Sequence, residues 1–388
     1  MKPLPSPSTL YVLNDAILFT GEAMVEGHSL LVRNGLIVDI VAHRSVPIGA
    51  VGISFADHIL APGFIDAQVN GGGDILFNAA PTAESCLKIA AAHRKFGTTH
   101  ILPTCISDTP EVTRQAIQAV RESRQKDSGI LGIHLEGPHL GLEARGIHAK
   151  EHIRGINQED LRLYTHDSGE IMLLTVAPEN ATPQYVHALH ENGCVISLGH
   201  SNALSEQVNS LLEIGASGFT HLFNGMGCMS ARAPGIAGVA LDDRRSWCGI
   251  IADGHHVSAE MIRLALRAKP AGKVFLISDA MPPAASDAPQ PFQLCGETIR
   301  VENGCCVNAQ GRLAGSAITL LDAVRHCVKH VGVELDEALR MASAYPAAFL
   351  GCDKKLGKLL PGYAASAVAL KPDLSACAPW FKKLPVSG

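Results

Sequence analysis

The sequence predicts an α/β protein: a (β/α)₈ barrel of the TIM type with a small β-sandwich domain built from both chain ends. Three observations lead there. Eight apolar runs of strand length recur after residue 62, most of them separated by segments of helical pattern, which is how a parallel sheet covered by helices reads. The segment before them alternates short β-like pieces with turn residues and holds no amphipathic helix. The tail returns to the same β-like texture, so pairing it with the first strands completes a second, smaller domain.

The β-like pieces of the first segment are TLYVLNDAILF, SLLVRNGLIVDIV and ISFADHILA. The eight runs are GFIDAQV (63–69), TTHILPT (98–104), ILGIHLE (130–136), EIMLLTVAP (170–178), CVISLGH (194–200), SGFTHLF (217–223), WCGIIAD (247–253) and VFLISDA (274–280). Helices are expected over 82–97, 110–125, 203–215 and 258–268, the last opened by Ser258 as a cap with Glu260 close behind. A β-hairpin with Asn-Gly turn chemistry is expected near 290–312, then two helices over 317–331 and 334–350. The expected division is 1–60 with 360–388 for the sandwich and 61–359 for the barrel. Beyond about residue 378 no final strand is evident, because APWFKKLPVSG breaks the β pattern with prolines.

With 388 residues and 47% hydrophobic content the chain can bury a large core. A net charge of −5 with scattered lysines and arginines leaves no basic footprint for nucleic acid or for an anionic membrane. No run reaches the length of a membrane span, and the N-terminus has prolines and an acidic residue where a signal peptide needs an unbroken apolar core. Eleven cysteines without a C-x-x-C pair, mostly in apolar runs, fit a reducing cytoplasm. A small-molecule partner is therefore expected.

In such a barrel the site lies at the C-terminal ends of the strands, so the last polar residue of each run is a candidate. Glu136, His200 and His221 end the third, fifth and sixth runs. A carboxylate with two imidazoles is a three-ligand set for one catalytic zinc ion, with a position left for water. Asp279 ends the eighth run and is placed to take a proton from that water and pass it to a leaving nitrogen. Gln68 and Asn70, two apart on the first strand, point the same way; amides bind cations poorly, so they are expected to hydrogen-bond a water on the metal.

LEGP (135–138), LGHS (198–201), THLFN (220–224), IADGHHV (251–257), ISDA (277–280) and LAGSA (313–317) together resemble the N-acetylglucosamine-6-phosphate deacetylases of the metal-dependent amidohydrolase superfamily. The resemblance implies one divalent ion per subunit, the amide pair Gln68 and Asn70 standing where many relatives carry His-x-His for a second metal. It implies that Arg232, Asn224, the backbone N–H of Gly225 and His256 contact a sugar phosphate, and that His148 hydrogen-bonds the acetyl carbonyl. It also implies a homodimer. Which of His255 and His256 faces inward stays open in the sequence. So does the sugar: N-acetylgalactosamine 6-phosphate is the alternative substrate, and a metal-free interaction scaffold the alternative class. The stretch 281–290 departs from the usual pattern close to Asp279.

Overall fold

The computed structural model describes residues 9–302 and 304–381. Its centre is an eight-stranded parallel sheet, with strands Phe64–Val69, Thr98–Ile106, Gly132–Glu136, Ile171–Val176, Val195–Leu198, Ala216–Phe219, Trp247–Ile251 and Val274–Ile277 paired in chain order. The eighth returns to the first: the Asp279 N–H donates to the Gln68 carbonyl at 3.0 Å, and Val69 bridges Ala280. All eight expected runs are strands of this barrel. Every residue of Phe64–Val69 and Thr98–Ile106 is buried, because one face fills the barrel and the other meets helices.

Local chemistry starts the outer helices where expected. The Thr82 side chain accepts from the Ser85 N–H to open Ala83–Arg94. Thr109 accepts from Val112 to open Pro110–Arg124, with proline at the first turn where no N–H is needed. Ser258 holds the N-cap position of Ala259–Ala268, but its side chain makes no cap bond to the backbone.

The small sheets draw on both chain ends. One runs Leu36–Ala42, His28–Arg33, Tyr11–Asn14, Val51–Ser54; the other runs Cys377–Phe381, Ser366–Leu370, Ile59–Pro62, Ile17–Phe19, Met24–Val25. Leu13, Leu30, Val32, Leu18, Leu60 and Ala367 pack between them as one apolar cluster. A final strand therefore exists where the sequence pattern showed none. Its Pro379 is tolerated because Cys377–Phe381 is an edge strand, with the proline's missing donor outside any required ladder. Residues 1–8 and 382–388 lie outside the described residues.

Three other expectations change. The insertion is a four-stranded antiparallel sheet, Phe292–Leu294, Glu297–Glu302, Cys305–Val307 and Leu313–Ser316, rather than a lone hairpin. The fourth strand is recruited because the Ser316 N–H donates to the Asp279 carbonyl and the Met281 N–H to the Ser316 carbonyl, both 2.9 Å, stitching the insertion to the end of the barrel. Of its expected Asn-Gly turn, Asn303 lies outside the described residues. The helix expected over 334–350 is broken at Ser343 into Leu335–Ala342 and Ala344–Phe349. Pro346 supplies the reason, since it has no N–H for the carbonyl of Ala342. The 317–331 helix is shorter than expected, Leu320–His326, and passes into a π turn over Cys327–Val331 before Gly332 ends it at φ +82°.

Candidate active site

Glu136 is the last residue of the third strand, whereas His200, His221 and Asp279 each stand two residues beyond the last residue of theirs. All three have left-handed backbones, φ 47°, 33° and 51°, which is unusual for residues with a Cβ and clusters at functional sites. The reversal ends each strand and leaves its side chain at the barrel mouth.

There the side chains converge. Glu136 Oε1 lies 3.2 Å from His200 Nε2 and 2.9 Å from His221 Nε2, and the two imidazole nitrogens are 2.9 Å apart. His200 Nδ1 donates to the Ala144 carbonyl at 2.9 Å, which leaves Nε2 as the ring atom turned toward Glu136. Three ligand atoms gathered this closely call for a cation or a shared proton among them. Burial works to lower the pKa of His221, but the hydrogen bond and charge of Glu136 raise it. Burial likewise works to raise Glu136, and the bonds from His200 and His221 overcome it and hold the carboxylate well below its usual range. One carboxylate oxygen and two imidazole nitrogens are a donor set that fits a divalent ion.

Glu136, His148 and His200 also place ligand-capable atoms within 4.8 Å of one another. The His148 ring is committed otherwise. Its Nδ1 accepts from the Ser107 backbone N–H at 3.3 Å, with the Ser107 hydroxyl 2.9 Å away, which leaves the proton on Nε2. That Nε2 is 3.9 Å from Glu136 Oε2 and faces the cavity as a donor rather than a lone pair. Burial first, then the charge of His200, pushes its pKa down to about 3, so the ring is neutral.

The amide pair turns its donors to the two acids. Gln68 Nε2 donates to Glu136 Oε1 at 2.9 Å and to Asp279 Oδ1 at 3.1 Å, and Asn70 Nδ2 donates to Asp279 Oδ1 at 2.6 Å. Carboxylates are strong acceptors, so these amide donors hold both acids in place. Asp279 is buried, and burial, followed by the charge of Glu136, raises its pKa to about 6. One layer deeper on the same face, Asp66 Oδ1 accepts from the backbone N–H groups of Gln68 and Ser278, each at 3.2 Å, while Oδ2 has no partner among the described residues. Burial raises this carboxyl to about 7.

A cavity of about 330 Å³ opens over these groups, and its wall includes His148, Asn224, Gly225, His256 and Arg312. That is the scale of a small-molecule site. His256 is the inward ring: its Nδ1 sits 2.6 Å from Asp253 Oδ2, and both His255 and His256 N–H groups donate to Asp253 Oδ1 at 2.8 Å. Asp253 thus orients it, a role visible in sequence only as a strand-end acid. Arg232 is exposed in the loop before Gly235–Asp242 and does not line the cavity. Ser107 and Arg312 had no signal in the sequence because their relation to the site depends on loops meeting in space.

A barrel with a carboxylate and two histidines gathered at its mouth is the architecture of a metal-dependent hydrolase. A sequence profile described as "Amidohydrolase family" matches residues 59–388, and the chain belongs to that family. It is 42% identical over 323 residues to the N-acetylgalactosamine-6-phosphate deacetylase of Shewanella sp. strain ANA-3, covering 83% of this chain and 82% of that one. It is 31% identical over 368 residues to the N-acetylglucosamine-6-phosphate deacetylase of Haemophilus influenzae, covering 94% and 96%. The crystal structure of N-acetylglucosamine-6-phosphate deacetylase from Pasteurella multocida superposes with a TM-score of 0.93 at 35% identity, covering 97% of this chain and 99% of that one.

Proposed function

We propose that this protein hydrolyses N-acetylglucosamine 6-phosphate to glucosamine 6-phosphate and acetate, with one divalent ion, zinc, held by Glu136, His200 and His221. The observation that carries the reading is the approach of three ligand atoms to within 2.9–3.2 Å of one another beside an aspartate that shares a hydrogen-bond donor with one of them. When bound, the ion supplies Lewis-acid polarisation and a more acidic water.

The chain's own residues do the rest. Asp279 takes the proton of the attacking water and delivers it to the departing nitrogen, a task suited to a carboxyl whose pKa is raised toward neutrality. His148 Nε2–H donates to the acetyl oxygen as negative charge develops there. Gln68 and Asn70 fix the two carboxylates. Asn224, the Gly225 N–H, His256 and Arg232 take the phosphate and so align the acetamide, converting remote binding into orientation. Chain division at about residues 60 and 360, a homodimer and a cytoplasmic location complete the reading.

Acetate release from N-acetylglucosamine 6-phosphate, measured with and without chelator, is the direct test; no release from the metal-replete protein would end it. N-acetylgalactosamine 6-phosphate is the second reading, favoured by the 42% identity to the Shewanella protein. Parallel kcat/KM values for the two epimers decide between them.

A further inference from the structure

Beside the catalytic cavity lies a second one of about 390 Å³ whose wall includes Glu143, Arg145, Asn202, Gly225 and Arg312. Gly225 and Arg312 belong to both walls, so the two spaces adjoin there. Neither Arg145 nor Arg312 has a carboxylate partner among the described residues. Arg145 Nη1 donates to the Leu142 carbonyl at 2.9 Å, and the side chain of Arg312 makes no hydrogen bond or ion pair among the described residues. Glu143 on the same wall is also without an ion pair among the described residues, so the lining residues keep an excess of one positive charge. In a chain of net charge −5, two guanidinium groups left without acids at one cavity are a local reversal of sign.

The backbone beneath Arg312 is fixed. Asn308 Oδ1 accepts from the N–H groups of Gln310 and Arg312 at 3.1 and 2.8 Å, and the Asn308 N–H donates to the Arg312 carbonyl at 3.1 Å. Asn308 Nδ2 in turn donates to Glu297 Oε2 at 2.6 Å. The turn is held by side-chain and backbone bonds together, while the guanidinium that it carries stays uncommitted.

Resting on the deacetylase reading above, we propose that Arg312, aided by Arg145, binds the substrate's phosphate from within the same chain and determines the preference for phosphorylated sugar. A ligand whose acetamide lies over Glu136, His200 and His221 passes Gly225 toward this wall, and a guanidinium matches a phosphate through paired N–H donors. Arg232, outside the cavity wall, is then not the sole cation for that group.

Arg312→Ala, Arg312→Lys, Arg145→Ala and Arg232→Ala test the proposal. Removing one charged hydrogen-bond partner should raise KM for the phosphorylated sugar ~10-fold or more in Arg312→Ala with kcat within about threefold, and by less in Arg145→Ala. Arg312→Lys should recover part of the loss. Calorimetry on the chelated protein should show glucosamine 6-phosphate binding weakened by a similar factor in Arg312→Ala, and glucosamine binding little changed. Affinity within about twofold of wild type, or a loss in kcat at constant KM, would overturn the proposal. Wild type inactive on both phosphorylated sugars would instead remove the deacetylase reading, whereas an active wild type with a silent Arg312→Ala removes only this inference.

Discussion

Asn70 Nδ2 lies 2.6 Å from Asp279 Oδ1, and this bond stabilises the carboxylate against the burial that raises its pKa to about 6. The proposed base is therefore set by an amide on the opposite end of the barrel sequence, 209 residues away.

Loss of that donor moves the base upward. Asp279 works deprotonated, so kcat/KM falls as pH drops through its pKa, and a divalent ion on Glu136 places that limb at or below the metal-free value of about 6. In Asn70→Ala the limb shifts to higher pH. A pH–rate profile superimposable on wild type would show that the amide does not tune Asp279.

Asp279→Asn keeps the hydrogen-bonding shape but cannot take a proton. Turnover is expected to fall by at least ~10²-fold while metal content, measured by atomic absorption, stays at the wild-type level. Turnover close to wild type would assign the base elsewhere.

His148→Ala removes an N–H donor from the cavity. A fall in kcat of ~10² to ~10³-fold with unchanged metal content is expected for loss of an oxyanion partner. Because burial holds this ring neutral, with a pKa near 3, it adds no limb to the wild-type profile between about pH 5 and 9. A purely KM effect would place His148 in binding alone.

Chelation should abolish acetate release and zinc should restore it. His200→Ala and His221→Ala should lose the ion stoichiometrically, whereas Gln68→Ala, which removes only a donor to the two acids, should retain it. Full metal occupancy in either histidine variant would redraw the ligand set.

Asp66 gives a pH-dependent stability. Its folded pKa of about 7 lies above the ordinary carboxyl value of 3.8, so between those values the native state binds more protons than the unfolded one and stability falls as pH rises. Asp66→Asn abolishes this contribution, so its stability relative to wild type should improve from pH 5 to pH 8. Denaturant titrations of chelated protein at the two pH values measure it; a constant difference would mean that Asp66 does not hold its proton.

Much of the site could be read before folding because each barrel strand delivers its last polar residue to the same mouth. Glu136, His200, His221 and Asp279 are legible on that rule alone. The rule fails for groups carried by loops. The commitment of His148 Nδ1 to Ser107 joins residues 41 apart in sequence, and the choice of His256 over His255 was made by Asp253, which a string of letters leaves undetermined. The final strand was hidden by Pro379, whose cost vanishes only at a sheet edge.

By itself the sequence determined the alternation of strands and helices, the family and the four residues at the barrel mouth, since periodicity and strand ends are local properties of the chain. Only the tertiary structure decided what Gln68 and Asn70 grasp, which ring nitrogens carry protons, and that Arg312 rather than Arg232 lines the cavity. Hydrogen-bond partners and charge neighbours are set by distances between segments far apart in sequence, and those distances exist only once the barrel closes.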